Sequence, residues 1–238
     1  MIINTAGEYT LQYTATDACG NSTTVERDLV VEEPPTYRTV LYTDGTFIIN
    51  ESSRDEAHNV ALHGQPTNVY NPFDPNGDTL VDRYEFSTYG LRPWDNQVSS
   101  ITSVEIGSNI QPTLTRHWFE NMTNLLSVDL DNLDTSAVTS MESMFNGCSL
   151  LETLDLSGFD TSDVISTATM FRSCSALKTI YASTLFVVEQ VTSDSNMFVS
   201  ASNLVGGAGT TYSSSYRDKT RARIDNPPDA PGYFTAKS

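Results

Sequence analysis

Residues 9–16 read Tyr-Thr-Leu-Gln-Tyr-Thr-Ala-Thr, apolar and polar in alternation. After the turn-forming run Asp17-Ala18-Cys19-Gly20-Asn21, alternation resumes from Thr23 to Val31 through Val25, Leu29 and Val31. Period-two patterning on either side of Gly-Asn chemistry predicts a β-hairpin with one buried face. Two strands alone are marginally stable in water, so this hairpin is expected to pack on something else. Glu32-Glu33-Pro34-Pro35 then interrupts any regular element and reads as a linker. Residues 37–50 predict a second hairpin, with Asp44-Gly45 as its turn between Val40-Leu41-Tyr42 and Phe47-Ile48-Ile49. A short helix is expected over Ser53–Leu62, capped by Ser52 or Ser53 and ended by Gly64. Residues 64–78 read as a loop, Leu80–Phe86 as a strand, and Trp94 as a buried plug.

From about residue 100 the pattern becomes periodic over a longer interval. Phe119, Phe145 and Phe171 are spaced by 26 residues, and Phe198 follows after 27. The strand-like triplets Val128-Asp129-Leu130, Leu154-Asp155-Leu156 and Ile180-Tyr181-Ala182 keep step, as do Leu125, Leu151 and Leu177. Asp134-Thr135-Ser136 and Asp160-Thr161-Ser162 are a further matched pair, and Val104-Glu105-Ile106 is an earlier, divergent copy. A 26-residue repeat with an L-x-x-L-x-L core falls in the leucine-rich range. One short strand per repeat is expected, with stacked neighbours burying the Phe, Met and Leu columns that no single repeat could bury. About four or five turns would give an array roughly 20–25 Å long.

Two segments carry a resemblance. Met144-Phe145-Asn146-Gly147-Cys148-Ser149-Leu150-Leu151-Glu152-Thr153-Leu154-Asp155-Leu156, continuing through Ser157-Gly158-Phe159-Asp160-Thr161-Ser162-Asp163-Val164, resembles the BspA-type leucine-rich repeat. Met170 to Ser183 resembles its closing repeat, and the likeness covers roughly residues 100–236. Gly7-Glu8-Tyr9-Thr10 with Tyr13-Thr14-Ala15-Thr16-Asp17-Ala18-Cys19-Gly20-Asn21 resembles the last two strands of bacterial immunoglobulin-like surface domains. The earlier strands of that domain are missing: either the chain is a piece of a longer protein, or a partner completes the sandwich by strand addition. The expected fold is mainly β. A partial immunoglobulin-like hairpin (1–33) and a linker (34–36) precede a mixed α/β cap (37–99), leucine-rich repeats (100–205) and a closing tail (206–238).

Composition narrows the chemistry. Thirteen Lys and Arg against thirty Asp and Glu leave a net charge of −17, which disfavours nucleic acid and anionic membranes as partners. No run approaches the roughly 18 apolar residues of a membrane span. Met1–Asn4 lacks the start of a signal peptide. Asp74, Asn76, Asp78, the Leu80 carbonyl, Asp82 and Glu85 match the ligand spacing of a Ca²⁺ loop. Position 6 of that loop is Thr79 rather than Gly, and a strand would turn Asp82 and Glu85 to different faces, so a solvated acidic loop is the alternative reading. His58 and His63, five apart, fall off one helical face and do not form a metal pair. His117 beside Trp118 reads as repeat packing. Cys148 and Cys174 share a repeat position, as buried thiols in a column or as a disulfide between neighbouring turns. Arg217, Lys219, Arg221 and Arg223 form a basic patch that either meets an acidic neighbouring subunit or caps the array. No G-x-S-x-G elbow, G-x-G-x-x-G or P-loop is present, and no enzyme is expected.

Both resemblances imply extracellular adhesion or display. The expectation is a non-enzymatic, surface-exposed phage virion protein, a capsid decoration or tail component, displayed toward a host or mucosal surface. Extracellular-type modules that begin at Met1 without an export signal suit a particle released by lysis. A fragment of a secreted bacterial adhesin, at the cell surface, is the alternative. Expected partners are other virion or surface subunits bound through the N-terminal hairpin, a second copy of the chain, and a host protein or glycan.

Overall fold

The computed structural model describes residues 7–31, 37–52, 62–63, 65–70, 94–107 and 109–237. The chain divides into two compact units, Met1–Thr36 and Tyr37–Ser238. Among the described residues it is mainly β. Helix is confined to residues 62–63 and two short 3-10 segments, Asp95–Ser100 and Lys219–Arg221, and the sheets close no barrel. The helix expected over 53–62 falls, except for its last residue, outside the described residues. So does the strand expected at 80–86.

The first unit is the antiparallel hairpin of β1 (Gly7–Thr16) and β2 (Ser22–Val31). Its turn is fixed by Asp17, whose Oδ1 accepts the amides of Cys19 and Asn21, both at 2.9 Å, while Gly20 takes φ +88°. Cross-strand pairs Gln12–Glu26, Thr14–Thr24 and Thr16–Ser22 hydrogen-bond through their side chains. Tyr13 lies opposite Val25, and these two apolar side chains are 56% and 60% exposed.

In the second unit β3 (Tyr37–Tyr42) pairs antiparallel with both β4 (Thr46–Ser52) and β5 (Pro66–Tyr70). Gly45, at φ +89°, makes the β3–β4 turn. A Cβ there would come within 2.9 Å of the Ser100 carbonyl, so the turn also lets the next chain segment approach. β4 then does something its sequence does not announce: it pairs parallel with β6 (Ser103–Ile106), which pairs parallel with β7 (Ser127–Asp129). A second sheet holds β8 (Thr153–Leu156), β9 (Thr179–Ala182) and β10 (Phe234–Ala236), all parallel.

Between these strands a second set of bonds joins each repeat to the next. The amides of residues 115, 117, 119 and 121 donate to the carbonyls of 140, 142, 144 and 146, at 2.7–3.0 Å. Residues 141, 143, 145 and 147 donate in the same way to 166, 168, 170 and 172. Residues 167, 169, 171 and 173 donate to 193, 195, 197 and 199. Aiming alternate amides at one neighbour requires left-handed backbone at two positions per repeat. The first column is His117, Ser143, Thr169 and Asn196; the second is Asn121, Gly147, Ser173 and Ser200. These columns contain all seven non-glycine residues with positive φ among the described residues. Outside Gly such backbone is disfavoured. It persists here because the inter-repeat bonds satisfy backbone groups that water cannot reach.

Side chains follow the same columns. Phe119, Phe145, Phe171 and Phe198 are fully buried, with successive ring centroids 5.3, 6.0 and 5.4 Å apart. Leu125, Leu151, Leu177 and Leu204 form a second buried column, and Trp118, Met144, Met170 and Met197 a third. Burying such a side chain contributes about 1.5–3 kcal/mol each. The Asp-Thr-Ser segments serve the same stacking. Buried Thr135 donates its hydroxyl to Asp160 O at 2.9 Å, and Thr161 to Val187 O at 2.7 Å.

The tail closes the array around one carboxylate. Asp225 is only 8% exposed and accepts from Thr210 Oγ1 (2.6 Å) and from the amides of Thr210, Ala208 and Gly232 (2.9–3.1 Å). Burial pushes its pKa up, but the four donors outweigh burial and hold it below the ordinary carboxylate value. A pKa depressed on folding adds stability above the unfolded value of about 4. That contribution is lost as pH falls through the folded value. Asp225→Asn should cost about 1–3 kcal/mol at pH 7, because an amide NH₂ would face backbone N–H donors. In urea unfolding at pH 7 and pH 3 the gap between the two proteins should narrow in acid; a pH-independent gap would contradict this.

Candidate functional site

The Ca²⁺-type residues Asp74, Asn76, Asp78, Leu80, Asp82 and Glu85 lie outside the described residues, as does His58. Among the described residues no group of three or more His, Cys, Asp or Glu is placed to hold a metal ion. His63 Nδ1 meets Asp44 Oδ2 at 3.0 Å and Thr46 Oγ1 at 3.3 Å, with Glu105 4.0 Å from Nε2. His117 sits at a left-handed repeat position and bonds Glu120 at 2.8 Å. Glu120 is buried and also accepts from Asn146 Nδ2 at 2.7 Å, so this pair is tied into the next repeat.

Cys148 and Cys174 are fully buried in one column, and no disulfide joins them. Each donates to a carbonyl of the preceding repeat, Cys148 to Phe119 O at 3.2 Å and Cys174 to Phe145 O at 3.0 Å. Burial pushes the Cys174 thiol up to about 12, which keeps it protonated and unreactive. Cys19 is exposed. A disulfide-exchange dye should therefore titrate one thiol in the native protein and three in denaturant. Reaction of two or more native thiols on the same timescale would contradict the burial.

The basic patch is partly occupied within the chain. Lys219 Nζ donates to the carbonyls of Val188 and Val191, and Arg221 lies 4.2 Å above the Tyr216 ring. Arg223 donates to Thr220 O, while Arg217 and Arg223 remain exposed.

A concavity of the described surface adjoins a break in the strand ladder. β7 ends the five-stranded sheet and β8 begins the three-stranded one, so these neighbouring repeat strands do not pair. At their C-terminal ends lies a cleft of about 520 Å³. Val128, Leu130 and Phe159 supply its apolar lining, and Asp129, Asp131 and Asp155 its charge. Val128 is half-buried where its counterparts Val104, Leu154 and Ile180 are fully buried. Lys237, just past β10, reaches over the Tyr181 ring (5.7 Å) to an ion pair with Asp155. Its ammonium holds its proton more firmly than an ordinary lysine, first through the bond to Asp155 and further through the charge of Asp131. Asp155 in turn lies below the usual carboxylate range: partial burial pushes it up, and Lys237 and Ser157 more than offset that.

Nothing local in the sequence marked this cleft. Asp129 and Asp155 read there as strand positions, and Lys237 carries no pattern of its own.

Residues 113–218 match the family model described as "Mycoplasma protein of unknown function, DUF285". The chain is similar to that family over the segment that carries the alternating inter-repeat amide bonds, and the match spans under half of its length. No curated protein and no solved structure matches the chain.

Proposed function

We propose that this chain is a non-enzymatic display module in which a short BspA-type leucine-rich solenoid is carried on a surface and binds other macromolecules. The observation that carries the reading is the family match over 113–218 falling on repeats that bury their Phe, Leu and Met columns against one another. Such an array presents a rigid, extended surface built from short repeats. The non-enzymatic reading is supported by two features of the described residues. Thr46 and Asp44 share a single nitrogen of His63, and Glu105 stands 4.0 Å from the other, beyond hydrogen-bond reach, so no carboxylate bonds the ring from its far side as a nucleophile–base–orienter relay needs. The repeat thiols are buried donors rather than thiolates.

The context we place first is the surface of a phage virion, as capsid decoration or tail component, reaching a host or mucosal protein or glycan. In this reading the immunoglobulin-like hairpin, with Tyr13 and Val25 in water, is the contact to another subunit or a second copy. A fragment of a bacterial surface adhesin is the second reading, and the family description, drawn from a bacterial genus, favours it. Immunogold labelling of a culture lysate separated into particles and cell envelopes tests both. Gold on particles supports the virion reading, on capsids as decoration and on tail tips as host recognition. Gold confined to envelopes overturns it in favour of the adhesin, and label only in the soluble fraction overturns surface display altogether.

A further inference from the structure

The break between β7 and β8 is local. On either side of it parallel pairing is in register, with Val104 against Val128 and Leu154 against Ile180. The same repeats also stay joined by the bonds from 115, 117, 119 and 121 to 140, 142, 144 and 146. The cleft therefore lies between two repeats that are joined elsewhere, beside strands that do not pair with each other. Its shape and charge suit one kind of group. Its lining is mainly polar and carries three carboxylates (Asp129, Asp131, Asp155) beside the half-buried Val128, which suits a cationic side chain. The chain's own Lys237 already places an ammonium on Asp155 there, and it does so from an exposed position one residue beyond the last strand.

We propose that the cleft at the C-terminal ends of β7 and β8 is a docking site for a lysine- or arginine-bearing segment of a partner protein, with Lys237 as an internal occupant that the partner's cation displaces. Charge complementarity sets the ligand class: Lys237 neutralises Asp155, while Asp129 and Asp131 have no ion pair to a Lys or Arg among the described residues. The inference goes beyond surface display and does not depend on where the chain is displayed.

The test is an NMR titration of the full chain with a capped pentapeptide carrying one central lysine, and with the same peptide carrying norleucine. The expected result is that the lysine peptide shifts amides in 127–131 and 153–159, and the norleucine peptide does not. Lys237→Ala should tighten the lysine peptide by about three- to five-fold, the scale of one solvent-exposed ion pair that no longer competes. Asp155→Asn and, separately, Asp131→Asn should each weaken it, whereas Asp163→Asn, at an exposed site outside the cleft, should not. The spectrum of each free variant reports whether it is folded, and Asp131→Asn leaves the Lys237–Asp155 pair in place. Shifts spread over the acidic surface, an equal response to norleucine, or no gain in Lys237→Ala would each overturn the proposal.

Discussion

Phe145→Ala should destabilise the chain by about 3–5 kcal/mol, the usual cost of deleting a buried aromatic ring. Phe145 is fully buried between Phe119 and Phe171, with centroids at 5.3 and 6.0 Å, so removal leaves a void walled by two further rings. Its backbone is fixed as well, since its amide bonds Met170 O and its carbonyl accepts from Cys174 Sγ. The neighbouring repeats are held at ladder spacing and cannot collapse inward, which puts the expected cost at the upper part of the range. Urea unfolding measures it, with Leu126→Ala, at a side chain 61% exposed, as the control that should stay within about 0.5 kcal/mol. A loss under about 1 kcal/mol for Phe145→Ala would mean that the ring column is not the core.

Gly232→Ala is expected to be comparably severe for a different reason. A Cβ there would lie 2.1 Å from the Arg223 carbonyl oxygen and 2.9 Å from its carbon, both backbone atoms. Gly206 is equally confined, its Cβ position being 2.3 Å from Gly232 O. The glycines are needed for close approach: they let residues 206, 223–225 and 232 pack around the Asp225 carboxylate. Separating them would unseat Tyr233 and Phe234, both fully buried, and with them β10. We expect a loss of about 3 kcal/mol or more in thermal unfolding, with the tail after Ala222 becoming a site of proteolytic cleavage. Gly158→Ala, with open space around it, should be near neutral. Equal stability of the Gly232 and Gly158 variants would contradict the packing.

These two cases show what the sequence exposes and what it hides. Repetition was legible because each buried column needs the same side-chain type at a fixed interval, as at Phe119, Phe145 and Phe171. The Asp44-Gly45 turn was legible because its chemistry is local. The left-handed columns were hidden: only Gly147 among the eight positions is glycine, and the others are held by bonds to the next repeat rather than by local preference. The entry of β4 into a parallel ladder and the late return of β10 to β9 depend on contacts across long stretches of chain. Asp225 occurs once, so periodicity could not single it out. The cleft is hidden for a further reason, since it adjoins a pairing that does not occur between two ordinary repeat strands. Asp129, Asp131 and Lys237 gain meaning only when the fold brings them to one place.

The central claim is that successive repeats stack directly on one another in a 26-residue register. Thr139 and Ile165, both exposed, are neighbours in one column, the Ile165 amide donating to Thr139 O at 2.8 Å. Backbones at ladder spacing put paired Cα atoms about 5 Å apart, within disulfide reach. The most direct measurement is oxidation of a Thr139→Cys, Ile165→Cys double variant in a Cys19→Ser background, read by mass spectrometry after alkylation. The stacked register predicts near-complete formation of the 139–165 disulfide in the folded protein and none in a Thr139→Cys, Glu152→Cys control half a repeat away. Free thiols at both 139 and 165 in the folded variant, or equal cross-linking in the control, would contradict it.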